Sequence, residues 1–183
     1  MRASIILGTA AALLMAAPAP ASVVTLGSGF AESCYRAADS RRTDTDAWRS
    51  CNAALSWGAL TSEDRVGTYV NRGILFLIDG DLANADRDFD AALALDPRQP
   101  EAWLNKAIAA QRRGDNRGAE QAAARALELG TRKPALAHYV RGIAREDMGQ
   151  VRAAYADLIR ARDLEPKWLD PQLELARYQV RQR

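Results

Sequence analysis

Residues 69–97 read "YVNRGILFLIDGDLANADRDFDAALALDP", and two later stretches echo them: "WLNKAIAAQRRGDNRGAEQAAARALELG" at 103–130 and "YVRGIAREDMGQVRAAYADLIRARDLEP" at 139–166. Each has a small residue early, a Gly at the turn, an Ala in the second half and an apolar-rich end. Apolar and small residues recur at helical spacing, as in Tyr69, Gly73 and Phe76, then Ala85, Phe89 and Ala92. Gly80, Gly114 and Gly149 break the pattern where a left-handed cap ends a helix. Asp81 and Asn116 follow two of these turns as candidate N-caps. The unit is therefore two antiparallel helices, repeated. One such hairpin cannot bury its own apolar face, so neighbours must stack. The expected fold is all-α, an α-solenoid of antiparallel helix pairs.

These stretches resemble the tetratricopeptide repeat (TPR), a unit of 34 residues with preferred residues at set positions. The repeat at 66–99 places Tyr69 at position 4, Gly73 at 8, Phe76 at 11, Ala85 at 20, Phe89 at 24, Ala92 at 27 and Pro97 at 32. The repeat at 100–133 places Trp103 at 4, Ala107 at 8, Ala110 at 11, Ala119 at 20, Ala123 at 24 and Ala126 at 27, with Thr131 in place of Pro. Pro134 is inserted before the repeat at 135–168, which has Gly142, Ala154, Leu158, Ala161 and Pro166 in register. That last repeat departs at positions 4 and 11, where it carries His138 and Arg145. Residues 169–183 are expected to form a C-terminal capping helix, with Asp170 as N-cap, Pro171 at the first helical position, and Leu169, Leu173, Ala176 and Val180 on one face. Arg177, Arg181 and Arg183 are expected to be solvated charge near that helix end.

The chain opens with Met1-Arg2, an apolar run from Ile5 to Ala17 and "APAPAS", the tripartite layout of a secretory signal peptide. Residues 1–21 are expected to be cleaved after Ala21; an uncleaved anchor is the alternative. The run is shorter than the ~20 residues needed to cross a bilayer as a helix. This reading expects a bacterial, periplasmic or secreted protein with no stable membrane span after cleavage. Removing residues 1–21 takes away Arg2 and no acid, leaving 24 basic against 23 acidic side chains. That balance argues against a dedicated nucleic-acid binder, which would concentrate a basic face. The sequence does not set the oligomeric state.

Residues 22–65 hold Cys34 and Cys51, the two cysteines of the chain, but no Gly at the expected turn. Counted against the family template from Ser28, the segment is a divergent helical hairpin. It has Ala47 at position 20, Cys51 at 24, Ala54 at 27 and Cys34 at 7. The resemblance implies that positions 7 and 24 lie at the same height on paired helices, within reach of a structural disulfide. Free or reactive thiols are the alternative, although the pair lacks the Cys-x-x-Cys spacing of a redox site. A zinc site needs four ligands, and the single histidine, His138, is two repeats away.

No nucleophile elbow, phosphate-binding loop or metal-spaced cluster occurs, so neither an enzyme nor a cofactor is expected. "DRDFD" at 86–90 is expected to be a solvated outer face, with Asp86 and Asp90 turned to solvent. The resemblance implies a non-enzymatic scaffold or adaptor of the cell envelope that binds a protein or peptide in the concave groove. A small-ligand or cell-wall-fragment binding protein using the same groove is the alternative. The groove positions are Val70, Leu104 and Tyr139 at position 5, Asn71 and Asn105 at 6, and Ile74, Ile108 and Ile143 at 9. Ordinary packing, or cover by the closing helix or N-terminal segment, is the competing role for these apolar rows. Successive asparagines at position 6 grip a peptide backbone in some family members, because an amide both donates and accepts. Val70, Leu104 and Ile74 stand where the family's carboxylate clamp has cations, which argues against acidic C-terminal peptides.

Overall fold

Small residues let the paired helices touch. A Cβ on Gly73 would stand 2.4 Å from Phe89 Cε1, so position 8 must be bare where position 24 is aromatic. Gly142 faces Leu158 in the same way, with 3.2 Å from a built Cβ to Leu158 Cγ. In the middle repeat Ala107 and Ala123 fill the two positions and are fully buried.

The computed structural model describes residues 20–25, 29–57 and 59–178. The expected signal segment thus falls, for residues 1–19, outside the described residues, as do Val180, Arg181 and Arg183 of the expected closing helix. The described residues form nine helices and no strand. They are α1 (Gly29–Asp39), α2 (Thr45–Trp57), α3 (Ser62–Asp79), α4 (Leu82–Leu95), α5 (Pro100–Arg112), α6 (Asn116–Glu128), α7 (Pro134–Asp147), α8 (Val151–Leu164) and α9 (Leu169–Leu175). Successive helices pair from α1 with α2 to α7 with α8, and α1, α3, α5 and α7 also meet in sequence. The chain is an α-solenoid, and the first helices of its hairpins line one side. Among the described residues no helix is long and apolar enough to cross a membrane.

The turns follow their residue chemistry. Gly80, Gly114 and Gly149 end the first helices at φ of 81°, 78° and 74°. Asp81 accepts from Asn84 N at 3.1 Å, as expected of an N-cap. The next cap is Asp115, accepting from Gly118 N at 2.9 Å, and not Asn116, which is already helical. In the first hairpin Arg41 takes the left-handed position at φ 57°, where the later repeats have glycine. There Arg42 N reaches back to Ala37 O at 2.8 Å, a Schellman-type closure. The closing helix starts at Leu169 rather than Pro171, with Trp168 at its cap. Leu169 and Leu173, expected on a buried face, are 58% and 48% exposed. Pro171 is the buried residue of that helix.

Each hairpin but the third carries a strong cross-link near its middle, at repeat position 7. In α3 and α4 it is Arg72, bidentate to Asp88 at 2.7 Å through both guanidinium contacts. In α7 and α8 it is Arg141, 2.9 and 2.7 Å from the two oxygens of Asp157. In α1 and α2 it is the Cys34–Cys51 disulfide, with Cα atoms 4.7 Å apart. In the remaining hairpin, position 7 is Lys106, which pairs with Asp90 of α4 instead. Asp88 is thus an inward residue, 5% exposed, and "DRDFD" is not simply a solvated face. Asp86 also turns inward and pairs with Arg113, while Asp90 is 59% exposed at its side chain.

The departures of the last repeat are explained at Asp157. His138 Nδ1 lies 2.8 Å from one of its oxygens and Arg145 Nη1 donates to the other at 2.7 Å. Arg145 also donates to Glu120 of α6 at 2.8 Å, tying this repeat to the one before. Burial pushes the Asp157 carboxyl up. The hydrogen bonds from His138 and Arg141 and the charges of Arg141 and Arg145 outweigh that and hold it at about 2.

Two measurements follow from these cross-links. The folded pKa of Asp157 is lowered from 3.8 to about 2, so its stabilisation is complete above the unfolded value and is lost as pH falls through the folded one. The shift corresponds to about 2 kcal/mol. The stability deficit of Asp157→Asn relative to wild type, measured by urea unfolding, should therefore shrink by about that amount between pH 5 and pH 2. A deficit independent of pH would show that the carboxylate charge does not matter. Reduction of the Cys34–Cys51 bond, which closes 17 positions of chain, should lower stability by about 3 kcal/mol with the helical signal retained. Native, unreduced protein should titrate no thiol.

Candidate functional site

The inner face is occupied by the chain itself. Residues 20–25 cross it as a non-helical strap. Ala21, Val23 and Thr25 are 2%, 9% and 1% exposed, whereas Val24 is 47% exposed. Burial alternates with period two, as along an extended chain.

Two asparagines one repeat apart grip that chain. Val23 N donates to Asn71 Oδ1 at 2.9 Å, and Asn71 Nδ2 donates back to Val23 O at 2.7 Å. Both main-chain groups of one residue are satisfied by one amide. Asn105 Nδ2 donates to Ala21 O at 3.0 Å and to Glu101 O of its own helix at 2.9 Å. Asn105 Oδ1 is buried and makes no hydrogen bond among the described residues. The first rung is complete and the second half made.

The strap's edges are held as well. Arg132, at the α6–α7 turn, donates to Ser22 O at 2.5 Å. The buried Glu101 accepts from Arg132 N at 3.0 Å and from its Nε at 3.3 Å, which fixes the arginine in place. Ser22 Oγ donates to Asp39 of α1 at 2.9 Å, and Thr25 Oγ1 donates to Ala31 O at 2.7 Å. Gly67 of α3 makes room underneath: a Cβ there would stand 2.6 Å from Thr25 Cγ2 and 3.0 Å from Val23 Cγ1.

The eight groove residues expected from sequence separate into groups. Val70 and Ile74 are fully buried in one apolar cluster with Val23, Ala37 and Ala38. Leu104 is fully buried in a second cluster with Ala21, Leu136 and Val140. Asn71 and Asn105 are fully buried beneath the strap. Ile108, Tyr139 and Ile143 are half-buried. The Tyr139 ring lies 4.8 Å from that of Trp168, and burial, with Glu174 and Asp170 nearby, pushes its hydroxyl up to about 12. The closing segment thus covers the third position of that row. Cover by the N-terminal segment, the competing role expected for these rows, is what the strap provides; sequence reasoning missed its buried residues, Gly67 and the Glu101–Arg132 brace. The alternation of Ala21, Val23 and Thr25 was the available signal, but the expected cleavage point after Ala21 falls inside the strap and hid it. Among the described residues no group of three or more His, Cys, Asp or Glu side chains is placed to hold a metal ion.

Gly67→Ala should separate strap docking from folding. Alanine favours a helix interior over glycine by ~1 kcal/mol, so α3 gains while the strap is crowded. Hydrogen exchange at Val23 should accelerate about tenfold or more in Gly67→Ala and in Asn71→Ala. Amides in the middle of α3 should stay protected. Unchanged exchange at Val23 in both variants would mean that these contacts do not hold the strap.

No family model matches this chain, and no curated protein is similar to it. Solved structures are. The first TPR of Spaghetti (RPAP3) bound to the HSP90 peptide SRMEEVD is 25% identical over 61% of this chain and 88% of its own, with a TM-score of 0.58. The Arabidopsis OM64 TPR domain is 22% identical over 64% of this chain and 96% of its own, with a TM-score of 0.61. The MamA RS-1 ArsTM double mutant is 20% identical over 80% of this chain and 79% of its own, with a TM-score of 0.64. By the packing of its helix pairs and by these neighbours, the chain has the fold of tetratricopeptide-repeat domains.

Proposed function

We propose that this protein is a non-enzymatic interaction scaffold of the bacterial cell envelope, exported by its N-terminal signal, that binds a protein segment on the inner face of the repeats. The observation that carries the reading is the grip of Asn71 on both main-chain groups of Val23. An amide placed to hold an N–H and a C=O of one residue recognises peptide backbone, the one feature every protein segment offers. The same grip favours a ligand with a peptide main chain over a small ligand without one. The solved RPAP3 domain with a bound HSP90 peptide is a relative in fold that holds a peptide, which supports the class of ligand. The apolar run ahead of the strap, with the small residue Ala19 at its end, supports export, and a cut after Ala19 keeps Ala21 in the mature strap.

A photo-crosslinking residue at Ile108 or Ile143, half-buried on this face, tests the reading in intact cells. The protein should fractionate with the envelope. One protein adduct should form from these sites, disappear with Asn71→Ala, and be absent from a probe at the exposed Val151. Adducts insensitive to Asn71→Ala, or a protein retained in the cytoplasm, would overturn the corresponding half of the proposal.

A further inference from the structure

We infer that residues 21–25 are a tethered stand-in for the ligand of this face, and that the partner is an uncharged extended segment with a small residue and a β-branched residue two positions apart. The inference rests on the proposed peptide-binding reading and names the ligand class and the way it enters. The partner replaces the strap.

The subsites are read from what the strap places in them. Ala21 belongs to the apolar cluster of Leu104, Ala107, Leu136, Ala137 and Val140, a site that the strap fills with a methyl group. Val23 joins Val70, Ile74, Ala37 and Ala38, a larger apolar site. Thr25 lies over Gly67 with its hydroxyl on Ala31 O. Side chains at the intervening positions point away, and Val24 is half-exposed. The strap carries no charged residue, and the two charged side chains bonded to it are committed: Arg132 to Glu101 and Ser22 O, and Asp39 to the Ser22 hydroxyl. A highly acidic or basic segment gains no partner there.

The second rung says why the strap can be exchanged. Asn71 holds its residue from both sides, but Asn105 holds Ala21 from one, leaving a fully buried Oδ1 without a donor among the described residues. A segment that also presents its N–H to Asn105 Oδ1 would make the hydrogen bond that the strap does not. A buried acceptor left unpaired costs on the order of 1–3 kcal/mol, so one added bond is enough to favour a competitor. The strap has the advantage of its tether, which raises its local concentration to the millimolar range. Wild-type protein should therefore bind a free copy of the strap weakly, and a strap-weakened protein should bind it well.

The test titrates fluorescein-labelled APASVVTLG, the sequence of residues 19–27, into full-length protein and follows anisotropy. Two variants weaken the strap independently. Val23→Asp puts a charge in the apolar site, and Val23→Pro removes the N–H that Asn71 receives. The expected result is at least tenfold tighter binding in either variant than in wild type. Binding should be lost again when Asn71→Ala is added, and SRMEEVD should not bind any of them. Circular dichroism identifies a variant that fails to fold, and the other then decides. Equal affinity for wild type and a folded strap variant would overturn the inference, as would no binding to a folded strap variant. A concentration-dependent dimer of wild type on size exclusion, lost in Val23→Asp, would make the occupant a second copy's strap and overturn the external partner. An Asn71-dependent cross-linked partner in cells together with a failed titration would sink this inference and leave the proposed function standing. A successful titration without any such partner would do the reverse.

Discussion

The helix pairs of the three 34-residue repeats stand close because position 8 is small, and most of the architecture depends on that approach. Gly73 admits Phe89 and Gly142 admits Leu158, with no space for a Cβ at the first and little at the second. The closeness brings position 7 of one helix opposite positions 23 and 24 of its partner. There the helices are fastened by two different chemistries, a bidentate Arg–Asp pair in two hairpins and a disulfide in the first. The disulfide stands in the hairpin with the least favourable turn, where Arg41 adopts the conformation that glycine takes elsewhere. A covalent constraint acts on the unfolded chain and is insensitive to local strain in the turn.

Where the sequence was legible, the pattern repeated. Helix boundaries, turn glycines and the Cys34–Cys51 height could all be counted from the 34-residue period. What could not be counted were contacts unique to one repeat. His138 and Arg145 looked like defects at positions 4 and 11 because Asp157, the group that gathers them, lies in the following helix. Asp86 looked solvated because its partner Arg113 belongs to the next repeat. Leu169 and Leu173 have apolar spacing but lie at the end of the stack, where no further described helix covers them.

The inner face shows the same division. Its residues were placed by register, and Asn71 and Asn105 do hold a backbone. Period could not say whose backbone it is. A segment of six residues outside the repeats carries only a short alternation, and its apolar residues merge with the run before it. Val70, Ile74 and Leu104 are buried too deeply to read a ligand directly and instead form the floor on which Ala21 and Val23 rest.

A stack of hairpins is a fold of local contacts, and the strap is its exception. The Arg132–Ser22 hydrogen bond joins residues 110 positions apart, and Asn105–Ala21 joins residues 84 apart. Contacts of that separation are slow to form and cannot precede the surfaces they close on. Residues 20–25 leave the ribosome before α3, α5 and the α6–α7 turn exist. They must wait without a partner until all three are assembled. Docking therefore follows the assembly of these three elements, and its reversal is an opening that can leave the hairpins intact. The part of this chain that is made early is the part whose place is settled late.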